Sequence, residues 1–206
     1  MAKRSSSRAQ TTRARVRSVC VYCGSSGRGP RRHRDDAIRF GRDLAKAGVE
    51  LVYGGGHVGL MGLMADAALS AGGRVTGVIP ADLIKAEVGH GRVTRLVVTK
   101  SMHARKMAMF RRSDAFVVLP GGPGTLDEFF EVLTWRQLRF HDKPIVLVES
   151  QGYWKPLLTL IEWIIRNGYA RASFRRLFKV VKSIDDVLPA LKAAPRPRLR
   201  SRPKRL

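Results

Sequence analysis

One stretch of the chain, residues 114–138, constrains the fold more than any other: DAFVVLPGGPGTLDEFFEVLTWRQL. It begins with the apolar run from Ala115 to Leu119, which predicts a buried β-strand, and Pro120 ends that strand. A cluster of glycines follows and permits backbone angles and close approaches that a Cβ atom would forbid. The glycines are Gly121, Gly122 and Gly124.

The second part of this stretch predicts a helix from Thr125 to about Leu138. Apolar side chains recur there at helical spacing and should face the core. They are Leu126, Phe129, Phe130 and Leu133. A strand, a glycine loop and a helix N-terminus together form an anion site, because free backbone N–H groups and the positive end of the helix dipole meet there. We therefore expect a phosphate group at this loop, although the loop matches neither the P-loop nor the dinucleotide pattern.

Glu128 lies on the first turn of the predicted helix, and its role has two interpretations. The spacing of Thr125 and Glu128 fits a capping box, in which the two residues satisfy each other's backbone N–H groups. Alternatively, Glu128 places a carboxylate beside the bound phosphate, where it can act in acid–base chemistry. The spacing alone does not decide between these interpretations.

Two further glycine-rich turns follow predicted strands. Gly24 and Ser25 come directly after the strand at 19–23, and Gly55 belongs to the glycine run that follows the strand at 51–53. In open α/β sheets, ligands bind at the carboxyl ends of the strands. Together with the loop at 121–124, these turns predict one nucleotide-shaped crevice along one edge of a sheet.

The rest of the chain alternates strands with helices. We expect further strands at 74–79, 96–99, 145–148 and 177–181, and helices at 33–47, 60–71, 102–111, 153–167 and 185–193. A chain of 206 residues, 44% of them hydrophobic, can fill the core of one domain. The fold class that we predict is α/β, a single Rossmann-like, doubly wound parallel sheet with helices on both faces.

The formal net charge is +23, and much of it lies in two tails that contain no acidic residue. We expect these tails, residues 1–17 and 195–206, to be disordered around a folded domain at 18–194, because they have few large apolar side chains. Basic tails can bind nucleic acid weakly, or they can be solvated and act only on solubility. No aromatic residue is interleaved with the charges, as base stacking would require, which favours the second interpretation.

The chain has two cysteines, Cys20 and Cys23. Positions three apart in a strand point to opposite faces, so we interpret both as core residues rather than a redox pair or a zinc site. The N-terminal tail lacks the apolar segment of a secretory signal, and no apolar run is long enough to span a membrane. We therefore expect a cytoplasmic protein that does not bind membranes.

Three motifs carry a resemblance to a known family: VYGGGHVGLMG at 52–62, SMHARK at 101–106 and PGGPGTLDE at 120–128. From about residue 18 to residue 187 the chain resembles the LOG ("Lonely guy") family. Its members are cytokinin riboside 5'-monophosphate phosphoribohydrolases, long mislabelled as lysine decarboxylases. The resemblance implies a nucleoside 5'-monophosphate substrate, a homodimer with the site near the subunit interface, and no metal or redox cofactor.

The resemblance also implies the site residues. Glu128 and Arg105 would be catalytic, although Arg105 and Lys106 could by themselves be two solvated surface cations. The substrate-binding residues that it implies are Gly24, Ser25, Gly55, Glu87, Lys106, Gly121, Gly122, Pro123, Gly124, Thr125, Asp127 and Thr134. Two positions depart from the family pattern: Ser101 stands where the family often has an acid, and Pro123 replaces a larger residue.

The implied reaction is hydrolysis of the N-glycosidic bond of adenosine 5'-monophosphate, or of an N6-modified form, to the free base and ribose 5-phosphate. Glu128 would stabilise the oxocarbenium-like transition state or orient water. Arg105 would act as an electrostatic clamp, because a guanidinium group stays protonated near neutral pH. Two other classes remain open. One is a nucleotide- or nucleic-acid-binding protein without catalysis. The other is a decarboxylase, which needs a pyridoxal-phosphate lysine that we do not find in a recognisable setting.

Overall fold

The computed structural model describes residues 16–84, 89–195 and 197. Within these residues, seven strands form one sheet in the order β4-β3-β2-β1-β5-β6-β7. The strands are β1 (Ser18–Tyr22), β2 (Glu50–Tyr53), β3 (Val75–Pro80), β4 (Arg95–Thr99), β5 (Ala115–Val118), β6 (Ile145–Val148) and β7 (Lys179–Val181). Every neighbouring pair is parallel, which confirms the predicted α/β class.

Helices cover both faces of this sheet. They are α1 (Arg31–Lys46), α2 (Gly59–Ser70), α3 (Met102–Arg112), α4 (Pro123–Gln137), α5 (Lys155–Arg166) and α6 (Val187–Ala193). Buried side chains of α1, α2 and α6 share one apolar core with the sheet, and those of α3, α4 and α5 share a second core on the other face. Two cores, one on each face, are the mark of a doubly wound sheet.

The first strand shows how the sequence pattern produces this arrangement. Cys20 packs in the core beside α3, α4 and α5, whereas Cys23 packs in the core beside α1 and α2. Both are buried free thiols, as expected for residues on opposite faces of one strand. Burial is the first cause that raises the pKa of each thiol, and the negative charge of Glu128 is the second.

The structure corrects several predicted elements. Helix α4 begins at Pro123 rather than at Thr125. Helix α5 begins at Lys155 rather than at residue 153, and it buries Leu157 and Ile161 while Leu160 is 48% exposed. No helix in the described part of the chain is long and apolar enough to cross a membrane.

The strand order places the functional region. From β1 the chain moves outward through β2, β3 and β4, and then returns to the other side of β1 with β5. The order therefore reverses between β1 and β5, whose residues pair from Val19 with Ala115 to Tyr22 with Val118. A crevice opens at the carboxyl ends of two such strands, because their connections leave in opposite directions.

Candidate active site

A cleft of about 240 Å³ lies at the carboxyl ends of β1 and β5. It is lined by Cys23, Gly24, Ser25, Met61, Leu83, Met102, Arg105, Gly122, Pro123, Gly124, Thr125, Asp127 and Glu128. These residues come from the loops after β1 and β5, from α2, α3 and α4, and from the turn after β3. The sheet thus brings together three of the motifs that are far apart in the sequence.

The loop after β5 packs tightly against the loop after β1. The backbone N–H of Gly24 donates to the carbonyl oxygen of Pro120 at 3.0 Å. A Cβ atom on Gly121 would collide with the hydroxyl of Thr125 and would lie 2.8 Å from the nitrogen of Gly24. Only glycine fits at position 121, and its small size lets the start of α4 approach the end of β1.

The N-terminus of α4 faces the cleft without a side-chain cap. Gly122 is the N-cap residue and Pro123 is the first helical residue, where the missing N–H group of proline costs nothing. The capping-box interpretation is therefore wrong, because Thr125 is the third helical residue and no side chain caps the N-terminus of this helix. The backbone N–H groups of the first turn have no partner within a helix and are suited to an anion.

Glu128 lies on the second turn of α4 and lines the same cleft. It is partly buried. Its charge acts on its surroundings: after burial, it is the next cause that raises the pKa of Cys23, which also lines the cleft. The carboxylate thus sits where the cleft meets the end of β1, about one helical turn from the anion-binding N-terminus.

Arg105 projects from α3 into the cleft and is 5% exposed. Its Nε donates to the carbonyl oxygen of Val78 at 3.1 Å, and its Nη2 donates to that of Gly54 at 2.9 Å. A Cβ atom on Gly54 would collide with this guanidinium group, so the glycine makes room for it. One carbonyl group within β3 and one directly after β2 therefore hold Arg105 in place, and the interpretation of this residue as a solvated surface cation is wrong.

Lys106 follows Arg105 directly but turns towards α4. Its Nζ lies 3.1 Å from a carboxylate oxygen of Asp127 and 3.1 Å from one of Glu131. Burial opposes its charge, but these two partners outweigh burial and raise the pKa of Lys106. Lys106 does not appear among the described residues that line the cleft, whereas Asp127 does.

The other predicted substrate-binding residues divide into two groups. Gly24, Ser25, Gly122, Pro123, Gly124 and Thr125 all line the cleft. Gly55, Gly121 and Thr134 do not. Gly55 packs on β3 with a φ of +81°, and Gly121 packs against Thr125. Thr134 is exposed on α4, beyond the cleft. Glu87 lies outside the described residues.

The sequence patterns missed one contact at the glycine loop. The hydroxyl of Tyr153 donates to the carbonyl oxygen of Gly121 at 2.7 Å. In a trans peptide the C=O and N–H groups point in opposite directions, so this bond also fixes the direction of the Gly122 N–H group. An aromatic residue in the segment between β6 and α5, at the same sheet edge as the glycine loops, was the available signal.

Met61 and Met102 also line the cleft, although nothing in their sequence context separates them from core methionines. Met61 is 6% exposed and Met102 is 44% exposed. The sulfur of Met102 lies 3.7 Å from Nη1 of Arg105. These flexible side chains form the apolar part of the cleft, where a planar base could pack.

Known proteins resemble this chain over most of its length. A family model described as "Possible lysine decarboxylase" matches residues 61–191. A probable cytokinin riboside 5'-monophosphate phosphoribohydrolase of Oryza sativa subsp. japonica is 47% identical over 80% of this chain and 73% of its own length. A cytokinin riboside 5'-monophosphate phosphoribohydrolase of Arabidopsis thaliana is 39% identical over 85% of this chain and 86% of its own length.

Solved structures share the fold. The molybdenum cofactor carrier protein of Chlamydomonas reinhardtii superposes with a TM-score of 0.66 at 23% identity, covering 86% of this chain and 97% of its own. The molybdenum cofactor binding protein of Rippkaea orientalis gives a TM-score of 0.67 at 21% identity, covering 87% and 97%. At these identities the structural likeness concerns the fold alone, whereas the sequence relatives are 39% and 47% identical over most of the chain. The chain belongs to the LOG family, whose curated members are cytokinin riboside 5'-monophosphate phosphoribohydrolases.

Proposed function

We propose that the protein is a nucleotide phosphoribohydrolase that cleaves the N-glycosidic bond of adenosine 5'-monophosphate or an N6-modified form of it. The observation that carries this proposal is a single cleft that contains an uncapped helix N-terminus, a carboxylate at Glu128 and a buried cation at Arg105. Each of these three groups meets one chemical requirement of the reaction.

The phosphate of the substrate binds at the start of α4. Gly122, Gly124 and Thr125 surround this position, and the backbone N–H groups there are directed by the helix and by the Tyr153 bond to Gly121. Holding the phosphate fixes the ribose relative to the rest of the cleft, so that the anomeric carbon comes to rest near Glu128. The cleft of a single chain, about 240 Å³ in volume, is small for a ligand site.

Glu128 acts on the ribose. As the bond from the anomeric carbon to the base nitrogen breaks, its electron pair leaves with the base, and the ribose gains oxocarbenium character. The carboxylate stabilises this positive charge and orients the water whose oxygen forms the new bond to the anomeric carbon. The water loses a proton and the departing base gains one, which gives free base and ribose 5-phosphate.

Arg105 supplies fixed positive charge. Two backbone carbonyl groups hold its Nε and Nη2 atoms, so the guanidinium group does not need to reorganise when substrate binds. It clamps the phosphate or the departing base, whose negative charge grows as the bond breaks. Lys106, by contrast, positions Asp127 at the cleft through their ion pair.

The decarboxylase description of the family model does not suit this cleft. Pyridoxal-phosphate chemistry needs a lysine that forms a Schiff base with the cofactor. Of the described residues that line the cleft, none is a lysine. Lys106 is near, but its amine is held by two carboxylates.

We also propose that the active form is a homodimer. Thr134, which the resemblance places at the ligand, is exposed on α4 and lies outside the cleft of its own chain. A second copy packed near this face would extend the small cleft and bring further side chains to the base.

The free, buried cysteines suit a reducing compartment, and we place the activity in the cytoplasm.

The test is a panel of nucleotides with chromatography of the released bases. The protein should release adenine or an N6-substituted adenine from the 5'-monophosphate and act far more weakly on the nucleoside, because the nucleoside lacks the phosphate held by α4. Equal rates on AMP and adenosine would remove the phosphate site from the mechanism. No release from any 5'-monophosphate would refute the activity itself.

A further inference from the structure

Outside the catalytic cleft, three side chains with metal-binding atoms converge. They are His57 from the loop before α2, Asp66 from α2 itself, and His90 from the segment before β4. Their ligand atoms all lie within 4.8 Å of one another. None of the three lines the catalytic cleft.

The two distances from the histidines to Asp66 match those between ligands that share one metal ion. Nε2 of His57 lies 2.8 Å from Oδ2 of Asp66, and Nε2 of His90 lies 3.2 Å from Oδ1. Zinc bonds to imidazole nitrogen and carboxylate oxygen are about 2.0–2.2 Å long, so neighbouring ligands on one ion are roughly 2.9–3.4 Å apart. Each histidine nitrogen is therefore at the spacing of a coordination shell from one carboxylate oxygen of Asp66, and all three ligand atoms lie within 4.8 Å of one another.

The cluster is also accessible and held in place. The side chains of His57 and Asp66 are each 36% exposed, which gives an ion a path from solvent. His90 is 1% exposed, and its backbone N–H donates to the carbonyl oxygen of Gly55 at 3.0 Å. A rigid buried ligand beside two accessible ones lowers the reorganisation that binding requires.

We propose that His57, Asp66 and His90 form a binding site for a divalent transition-metal ion such as Zn²⁺. Two imidazole groups and one carboxylate suit zinc, cobalt or nickel, and they disfavour the harder Mg²⁺ and Ca²⁺. Three protein ligands leave further positions on the ion for water. The bound ion joins α2 and its preceding loop to the segment that leads to β4.

Two existing contacts compete with the ion and limit its affinity. The guanidinium group of Arg92 binds Oδ1 of Asp66 at 2.7 Å, and the backbone N–H of Arg92 donates to Nδ1 of His90 at 3.3 Å. When the ion binds Nε2 of each histidine, the ring proton moves to Nδ1, so the long 3.3 Å bond is lost. The side chain of Arg92 is 74% exposed and can swing into solvent. We expect micromolar rather than nanomolar affinity.

The experiment uses the full chain without a histidine tag, stripped of metal with a chelator and titrated with Zn²⁺ in a calorimeter. Wild-type protein should bind about one ion per chain, and saturation should raise Tm. His57→Ala should weaken binding by about tenfold or more, because it removes one direct ligand. This variant should fold, since His57 is partly exposed. Mg²⁺ should not bind.

Two more variants sharpen the test. Arg92→Gln should tighten Zn²⁺ binding by removing the cation that competes for Asp66. The matched control is His103→Ala. The chain has five histidines, of which two belong to the cluster and two more, His33 and His141, are buried. The fifth, His103, is exposed on α3. Zn²⁺ binding that His57→Ala leaves unchanged, or that His103→Ala abolishes, would overturn the proposal, as would a wild-type protein that binds no ion.

Discussion

The carboxyl edge of the sheet, where the strands end, and the amino edge, where they begin, each hold a cation, and the two cations are held differently. Arg105 is buried, whereas Lys143 is partly buried. At the carboxyl edge, Arg105 donates two hydrogen bonds to the carbonyl groups of Gly54 and Val78. At the amino edge, Lys143 donates one to the carbonyl oxygen of Phe110 at 2.7 Å, and its Nζ lies 4.1 Å from the centre of the Phe110 ring. Burial lowers the pKa of Lys143 to about 8.

The cavities at the two edges also differ, in size and in the residues that line them. The larger, about 430 Å³, lies at the amino edge beside the starts of β6 and β7. Its walls are apolar with three cations, Arg136, Arg176 and Lys179, and the acid Asp142. The smaller cleft at the carboxyl edge contains the uncapped helix N-terminus and Glu128. Size does not locate the reaction. Because the strands are parallel, the helices that follow them begin at the carboxyl edge, and a helix N-terminus there can bind the anion.

The largest expected effect is that of Glu128→Gln at the carboxyl edge. Glutamine keeps the size of the side chain but removes its charge, so kcat should fall by roughly a hundredfold or more. AMP should still bind, because the backbone donors and Arg105 remain. The measurements are kcat, calorimetric AMP affinity and Tm on the same preparation.

The matched control is Glu131→Gln, which changes a glutamate of the same helix that pairs with Lys106 and does not line the cleft. It should keep most of its turnover. Near wild-type kcat in Glu128→Gln would leave the carboxyl edge with a binding role only.

At the amino edge, Lys143→Met should change how stability depends on pH. The pKa of an unfolded lysine is about 10.4, and that of Lys143 is lowered to about 8. Between these values the unfolded chain binds a proton that the folded protein does not. The free energy of unfolding of the wild-type protein therefore rises with pH over this range. The rise amounts to roughly 1–3 kcal/mol, and the variant should lack it.

Urea unfolding of both proteins near neutral pH and at high pH measures this difference. Turnover at neutral pH should be similar in the two proteins, because Lys143 lies far from the cleft along the strands. Parallel pH curves for wild type and variant would show that folding does not lower the pKa of Lys143.

Tyr153→Phe tests the positioning of the glycine loop at the carboxyl edge. The ring stays, packed edge-on against His33 with 5.2 Å between centroids, but the bond to Gly121 is lost. Since a hydrogen bond contributes about 0.5–1.5 kcal/mol, KM for the nucleotide should rise by a few-fold to about tenfold, with a smaller change in kcat.

The affinity of the Tyr153→Phe variant for inorganic phosphate should fall by the same factor as its KM rises. This measurement separates loop positioning from a general loss of packing. Tyr169→Phe, at a residue 83% exposed, is the control. An unchanged KM would mean that α4 orients the loop without help.

The smallest effect is expected from removing the tails. Val16 packs against the core and the backbone N–H of Arg17 donates to Asp114 at 2.9 Å, so the deletion should end at residue 15. At the other end, Pro195 lines the amino-edge cavity, and the deletion should start at residue 198. Turnover should remain nearly unchanged in both truncations. Loss of catalysis in a folded truncated protein would connect a tail to the cleft, and a salt-dependent loss of RNA or DNA binding would give the tails a separate role.

Much of the fold follows from local patterns. Ile145–Val148 is a strand as predicted, and α3 (Met102–Arg112) follows the predicted helix at 102–111 to within one residue. The least accurate predictions concern ends and faces. The start of α4 was misplaced because Thr125 and Glu128 imitate a cap, while Pro123 and the glycines before it already allow the helix to begin.

The sequence by itself determined the strand–loop–helix at 114–138, the parallel sheet and the family, because these depend on residues that are neighbours in the chain. Only the tertiary structure decided that Arg105 turns to the carbonyl groups of Gly54 and Val78 while Lys106 turns to Asp127 and Glu131. The two are adjacent cations, and sequence spacing cannot distinguish them. Their roles differ because consecutive helical residues point about 100° apart, so one meets the ends of the strands and the other meets α4.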